Sequence, residues 1–291
     1  LHIELYERRR NFYVFKRSRI PGEFMKKEKL LSILKDIGIQ PNKRLGQNFL
    51  LDDNFLDYII KIANPQKDET IIEIGPGLAS LTDKLIEKQA NITAIEFDSK
   101  MVDYLRNKYG NKIHLIHQDA CKTNIDDLTN GKPFKIVSNL PYSISTPLLA
   151  NVITLNNIPD MVVVLLQKET AMRFTADIST KNYGAISIRL QTVFDAEYVR
   201  GIPPDVFYPK PEVDSAIVKL TKKSCLPPKE DRLKLDKLVK MAFLKRRKKL
   251  SNTIKPLFTR DIKDIFLSLN INENARPENL TPSKFLELSK E

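Results

Sequence analysis

An α/β chain, with a parallel sheet covered on both faces and a small all-helical domain behind it, is predicted by three features of the sequence. From Thr70 onward, short apolar runs alternate with amphipathic stretches of helical period. A glycine pair, Gly75 and Gly77, sits where the first apolar run ends and the first amphipathic stretch begins. After Lys222-Lys223 the dipeptide Pro227-Pro228 punctuates the chain, and strand-like runs cease.

Thr70 to Ile74 is the first strand. Leu78, Leu81, Leu85 and Ile86 then recur at helical spacing across Leu78 to Lys88. Ile92 to Ile95 is the second strand, and Met101, Val102 and Leu105 face inward from the helix after it. Ile113 to Ile116, Lys135 to Ser138 and Met161 to Gln167 are the third, fourth and fifth strands. Ser187 to Val199 and Ser215 to Leu220 read as two more, joined by a Pro-rich loop into an antiparallel hairpin that closes the sheet. Beyond the proline pair, Leu235, Leu238, Val239, Ala242 and Phe243 share one helical face, and Leu250 and Ile254 continue the stripe. Pro256, Pro277 and Pro282 mark later breaks, with Thr281-Pro282 suited to an N-cap and first helical position. The expected boundaries are residues 25–223 for the α/β domain and 224–291 for the helical one. No internal repeat or low-complexity tract interrupts either.

With 291 residues the chain is long enough to bury a substantial core. Its net charge of +12 and pI of about 9.5 point to a polyanionic partner. Residues 1–24 hold six Arg/Lys against three Glu, so most of the excess belongs to the body of the protein. That segment opens on Leu, and Met25 resembles an ordinary start. Arg8-Arg9-Arg10 has a transit-peptide flavour that Glu4, Glu7 and Glu23 contradict, so residues 1–24 are expected to be an upstream or artificially added extension. The longest clean apolar run, Met161 to Leu166, falls far short of the ~18 residues of a membrane helix, and no membrane partner is expected. Cys121 and Cys225 have neither a CxxC neighbour nor a His at ligand spacing. No metal site is expected, and a reducing, cytoplasmic setting fits. Cys121 reads as a small core residue rather than a reactive thiol.

Asn139-Leu140-Pro141-Tyr142 follows directly on the fourth strand. An Asn side-chain carbonyl can accept a hydrogen bond from an amino group. The residue before Pro is held extended, which turns its carbonyl outward. Tyr offers a face on which a base can stack. A plain Asn/Pro turn at a strand end has the same residues, so the tetrapeptide needs company.

Company comes from the strand ends. Gly75-Pro76-Gly77 lets backbone approach a ligand closely at a helix N-terminus. A pyrophosphate fingerprint needs a third glycine where Ser80 stands, which favours an adenosine-containing ligand without phosphates. Glu96 ends the second strand, 19 residues after Gly77, where an acid can accept both ribose hydroxyls. Asp119 follows the third strand and can accept from an adenine amine. Each acid alone reads as a solvated strand end, but together they outline a pocket for S-adenosylmethionine. His114 and His117 read as structural. The loop Lys43 to Leu50 suits a segment folding over a ligand, with Asn48 reaching the methionine end. Lys245-Arg246-Arg247-Lys248-Lys249, placed at the end of the long helix, reads either as a solvated end or as a phosphate contact, and the basic balance favours phosphate. Phe207, held between prolines, is available either to a ligand or to the core.

Six motifs in order carry a family resemblance. They are Arg44 to Leu50, Glu73 to Leu78, Asn139 to Leu148, Leu166 to Glu169, Phe207 to Ser215, and Arg246 to Lys248. With them the chain, from about Lys43 to Leu280, resembles the ribosomal RNA adenine N6,N6-dimethyltransferases of the KsgA type. The related Erm-type enzymes share the core tetrapeptide, but Ser145-Thr146-Pro147-Leu148-Leu149 is more similar to the KsgA group. Ser143 stands where Asn is frequent and Leu45 where Phe is often seen, and neither removes an expected contact. The resemblance implies a Rossmann-like methyltransferase domain and a helical RNA-binding domain. It implies S-adenosylmethionine contacts at Asn48, Leu50, Gly75, Gly77, Glu96, Asp119 and Asn139. The catalytic set it implies is Asn139, Leu140, Pro141, Tyr142 and Phe207, with RNA contacts at Lys43, Arg44, Lys245, Arg246, Arg247 and Lys248. The expected substrate is two adjacent adenines in a hairpin loop near the 3′ end of small-subunit ribosomal RNA, each dimethylated at N6. The expected partner is an immature small ribosomal subunit, met by a monomer. The principal alternative is a non-catalytic assembly factor that keeps the fold. A mitochondrial relative doubling as a transcription factor and a protein-glutamine methyltransferase are the others; the latter needs no basic run such as Lys245 to Lys249.

Overall fold

The computed structural model describes residues 27–41 and 46–291, so the expectations for residues 1–24, Lys43 and Arg44 lie outside the described residues. The described chain begins with α1 (Lys27–Asp36), a two-residue strand β1 (Phe49–Leu50) and α2 (Asp53–Ala63). Alternation then sets in with β2 (Thr70–Ile74), α3 (Ser80–Glu87), β3 (Asn91–Glu96), α4 (Ser99–Tyr109) and β4 (His114–His117). It continues through α5 (Ile125–Thr129), β5 (Phe134–Asn139), α6 (Ser145–Val152), β6 (Met161–Gln167), α7 (Lys168–Phe174) and α8 (Ala185–Val193). The strands β7 (Phe194–Ile202), β8 (Phe207–Tyr208) and β9 (Ser215–Lys222) follow. Four helices end the chain: α9 (Lys229–Phe243), α10 (Leu250–Ile254), α11 (Ile262–Ser268) and α12 (Pro282–Leu288).

Seven strands form one sheet in the order β4-β3-β2-β5-β6-β9-β7. The first five run parallel, and β9 and β7 are antiparallel to their neighbours. Successive residues of the central strands enter opposite cores. Ile72, Ile136 and Val164 pack on one face, while Ile71, Val137 and Val163 pack on the other. Burial on both faces explains why these strands read as unbroken apolar runs. Helix starts follow local chemistry. Asp52 caps α2 by accepting from the Asn54 N–H, and Asp98 caps α4 by accepting from the Lys100 N–H.

Two expectations are corrected. Ser187 to Val193 is helix rather than strand, and the closing strand starts only at Phe194. The reason is burial on nearly every side of α8, including Ser187, Ile188, Arg189, Leu190, Thr192 and Val193. A helix enclosed all round loses its amphipathic period, and its β-branched residues then imitate a strand. Lys245 to Lys249 likewise do not lie on the long helix, which stops at Phe243; they form the turn before α10. Like charges three and four residues apart weaken a helical turn, and the Leu250 N–H is drawn instead to the Ala275 carbonyl at 2.8 Å.

The C-terminal helices share a third core, in which Leu235, Val239, Leu250 and Phe285 meet Tyr183 and Ile188 from the α8 region. Polar contacts fix this unit to the sheet. The Tyr183 hydroxyl donates to the Leu280 carbonyl at 2.9 Å. Arg189 pairs with Asp236 at 2.6 Å, both nearly buried, so the mutual attraction offsets part of the desolvation, and losing either partner would strand a buried charge. Arg232 donates to the Ile153 and Leu155 carbonyls at 2.6 and 2.9 Å.

Glu73 is the one carboxylate of β2 and is buried on the α3 side, where it accepts from the Thr82 hydroxyl at 2.7 Å. Loss of hydration pushes its carboxyl up to about 8, a rise that the Thr82 bond only partly opposes. The folded protein therefore holds this group protonated while the unfolded chain, titrating near 4.5, ionises it. Stability from this group is full below pH 4.5 and is lost as pH rises toward 8. Glu73→Gln keeps an acceptor for Thr82 and removes that loss. Its gain in unfolding free energy is expected to be near zero at pH 4.5 and to grow by roughly 1.4 kcal/mol with each further pH unit, reaching a few kcal/mol by pH 8. Urea denaturation of both proteins across that range measures it.

Candidate active site

The strand order reverses between β2 and β5, because the chain builds outward to β4 and then returns to the other side of β2. At such a switch point the loops leaving the carboxyl ends diverge and open a crevice. A cavity of about 180 Å³ lies there. It is lined by Asn48, Gly75, Gly77, Glu96, Asp119, Asn139, Leu140, Pro141 and Tyr142 from among the expected residues. Leu50 and Phe207 are absent from its walls. Their backbones pair as β1 with β8, and both side chains enter the core, with Phe207 only 3 % exposed. Of the two rings expected to meet a base, Tyr142 lines the cavity and Phe207 does not.

Backbone approach sets the walls. Gly75 has φ +64°, and a Cβ there would stand 2.9 Å from Cγ of Pro141. Gly46 has φ +68°, and its Cβ would stand 2.9 Å from the Tyr142 nitrogen. Neither position admits a side chain without moving the tetrapeptide.

On one side of the cavity, Glu96 is 7 % exposed. Its carboxylate accepts from the Gly77, Phe97 and Asp98 N–H groups at 3.2, 2.8 and 2.9 Å. Desolvation raises its pKa while those three donors resist the rise. The result is an acceptor locked in place at the end of β3. Asp119 spends one oxygen on the Cys121 N–H at 2.9 Å, which holds the turn after β4. Phe97, on the cavity wall and 59 % exposed, offers a flat apolar face beside these acids. No Lys or Arg lines the cavity among the described residues. Two fixed acids and no cation suit a ligand with hydroxyls, an adenine and a positive centre, and they would repel phosphates. This is the character of S-adenosylmethionine, and the residues present fit it.

On the other side, the Asn139 Nδ2 donates to the Asn48 carbonyl at 3.0 Å. That bond assigns the amide: with Nδ2 committed, Oδ1 remains as an acceptor at the cavity wall. The turn beyond it is clamped. The Ile144 N–H and the Ser145 hydroxyl both donate to the Pro141 carbonyl, at 3.2 and 3.1 Å. The Tyr142 hydroxyl shares a 2.5 Å hydrogen bond with Ser215, a fully buried residue at the start of β9. Burial raises the Tyr142 pKa, so the ring carries a neutral phenol.

Phe97 and Ser215 were not singled out from sequence. An aromatic directly after a strand-terminal acid was the available signal for Phe97. Nothing in the sequence links Ser215 to Tyr142 across 73 residues. His114 and His117 are exposed on the edge strand, with the His117 ring 3.1 Å from the Phe97 carbonyl, which agrees with a structural reading. Cys121 is half-buried, and burial raises its thiol pKa, so it is not activated. Arg246 donates to the Thr180 and Lys181 carbonyls at 3.0 and 2.8 Å and so fastens the cationic turn to the loop before α8. Lys245, Arg247 and Lys248 stay exposed.

Tyr142→Phe and Ser215→Ala remove the same hydrogen bond from opposite ends. Each is expected to cost about 1 kcal/mol, and the double variant about as much as either alone rather than the sum. Urea titration of the four proteins is the check.

Comparison with known proteins is consistent with this geometry. The family described as "Ribosomal RNA adenine dimethylase" matches residues 38–291. A "Ribosomal RNA small subunit methyltransferase A" of Francisella tularensis subsp. novicida is 38 % identical over 252 residues, 85 % of this chain and 95 % of the relative. One of the same name from Alkaliphilus metalliredigens is 36 % identical over 279 residues, 90 % of this chain and 96 % of the relative. A solved dimethyladenosine transferase from Plasmodium falciparum superposes with a TM-score of 0.67 at 26 % identity, covering 82 % of this chain and 95 % of that one. By sequence match and by fold alike, the chain belongs to the ribosomal RNA adenine dimethylase family.

Proposed function

We propose that this chain transfers methyl groups from S-adenosylmethionine to the N6 amines of two adjacent adenines in a loop near the 3′ end of small-subunit ribosomal RNA. Its partner is an immature small subunit in the cytoplasm, and it acts as a monomer. The observation that supports the reading is the Asn139 amide, whose nitrogen is tied to Asn48 so that its oxygen is left as an acceptor at the cavity wall. Among the described residues no helix is long and apolar enough to cross a membrane.

S-adenosylmethionine supplies an electrophilic methyl group on a sulfonium. The side chains do the rest. The target adenine leaves its stack at a cost of roughly a few kcal/mol, least in a loop. Tyr142, its hydroxyl held by Ser215, returns on the order of 1–3 kcal/mol by stacking. The Asn139 Oδ1 and the Leu140 carbonyl accept the two amine hydrogens and draw them from the ring plane, which frees the N6 lone pair from conjugation. Placement of that lone pair is the main catalytic effect. The methylated nitrogen is acidic enough to lose its proton to water, so the site needs no strong base.

Labelled methyl transfer to undermethylated small subunits, followed by nucleoside analysis, tests this reading. N6,N6-dimethyladenosine in the small-subunit RNA is the expected product, and tight subunit binding without transfer would indicate the assembly-factor alternative. Asn139→Ala is expected to lower turnover on the order of 10²-fold, the scale of one lost positioning hydrogen bond, with RNA affinity nearly unchanged. Arg247→Ala with Lys248→Ala should weaken RNA binding and lower its salt slope by roughly 0.7–0.9 per lost phosphate contact. Arg246→Ala acts differently, because its guanidinium holds carbonyls: it should lower thermal stability. Filter binding at several salt concentrations, with a melting curve for each variant, separates the two roles.

A further inference from the structure

The helical domain contains a second, more open concavity, of about 410 Å³, lined by none of the residues of the first cavity. Its floor is apolar, made by Ile271, Ala275 and Leu280, all nearly buried. Its rim carries amides, notably the exposed Asn270 and Asn274, together with Thr281 and Lys284. The structure shows no hydrogen bond from either of these two side chains, so their donors and acceptors remain open to a ligand. An apolar floor bordered by open amides suits a nucleobase. Its ring is covered by the floor, and Asn presents the paired donor and acceptor that base edges require.

The surroundings favour RNA over a free small molecule. Residues 224–291 carry sixteen Lys/Arg against nine Asp/Glu. The groove is tied directly to the cationic turn at two points. The Leu250 N–H, next to Lys249, bonds the Ala275 carbonyl at 2.8 Å. Arg246 lies 3.8 Å from Glu278, the neighbour of Asn279 on the rim. Lys245, Arg247, Lys248 and Lys249 therefore stand beside the groove with their charges exposed. Lys284, the one cation on the groove wall, is engaged by the Leu269 carbonyl at 3.1 Å and by Glu287, so the freely exposed cations lie on the turn rather than in the groove. The division is then a base in the groove and its phosphates on the turn.

The groove is also linked to the reaction site. Ser215, which holds Tyr142, pairs in register with Gln167 at the end of β6. From there α7 runs seven residues, about 10 Å, into the loop whose Ser179 N–H bonds the Glu278 carbonyl at 2.9 Å.

We infer that this groove of the helical domain binds an unpaired base of the substrate RNA, a second anchoring point separate from the methylated adenine. The inference rests on the proposed RNA methyl transfer. Asn270→Ala with Asn274→Ala, two exposed changes outside the catalytic machinery, tests it in the full chain. Methyl transfer to undermethylated small subunits is followed by KM and kcat, and binding of the same subunits and of S-adenosylmethionine is measured directly. The expected result is a KM and a subunit Kd each raised roughly tenfold, the scale of one lost base contact. The kcat and the S-adenosylmethionine affinity should stay within twofold. Subunits carrying 4-thiouridine should crosslink to the peptide 270–284 in the parent and much less in the variant. Unchanged KM, Kd and crosslinking would overturn the inference while methyl transfer by the parent stood. Absence of transfer by the parent would instead overturn the proposed function, with subunit binding and crosslinking still deciding the groove.

Discussion

The reaction site depends on how closely two strand ends approach. Where β2 and β5 leave the sheet side by side, Gly75 packs against the Pro141 ring, and Gly46 packs against the backbone of Tyr142. Each contact is near the limit that a hydrogen in place of Cβ allows. This approach brings the Asn48 carbonyl within hydrogen-bonding range of Asn139, and that single bond orients the amide. It also brings the Tyr142 hydroxyl to Ser215 on the far, antiparallel side of the sheet. The glycine loops and the Tyr142 turn thereby pack directly on one another, so a displacement of either moves both.

Electrostatics divides the molecule into two parts. The cavity has buried or half-buried acids and no cation among the described residues that line it, which suits a positively charged methyl donor. The basic excess sits outside, much of it on the helical domain and its exposed turn. A polyanion is attracted to the protein as a whole but repelled from the cofactor wall, so long-range steering and local chemistry do not compete. The docking of the helical domain keeps this division in register. Arg189, Arg232 and Tyr183 make directional contacts across the junction, and a slide of one unit over the other would strand buried charge or a buried hydroxyl.

Much of this was legible from residue order because strand ends in a parallel sheet are local events. A glycine pair after Ile74, an acid at Glu96, an acid at Asp119 and the Asn139 tetrapeptide each follow their own strand directly. Parallel pairing then gathers the four ends at one edge without further information. Where two signals conflicted, the sequence misled. The α8 segment is rich in β-branched residues and buried on nearly every side, so its period vanished and it read as a strand. The run from Lys245 to Lys249 read as the end of the long helix, yet that helix stops at Phe243 and a tertiary bond joins Leu250 to Ala275 just beyond the run.

The sequence by itself determined the alternation of elements and the residue types placed at the strand ends, since these follow from periodicity and short-range chemistry. Only the tertiary structure decided which ring faces the cavity, because the β1–β8 pairing turns Phe207 into the core and leaves Tyr142 open. It alone linked Tyr142 to Ser215, turned Arg246 from the solvent to two carbonyls, and placed an amide-rimmed groove beside the cationic turn. Those outcomes depend on contacts between residues far apart in the chain, where packing and hydrogen-bond satisfaction, rather than local propensity, select one arrangement.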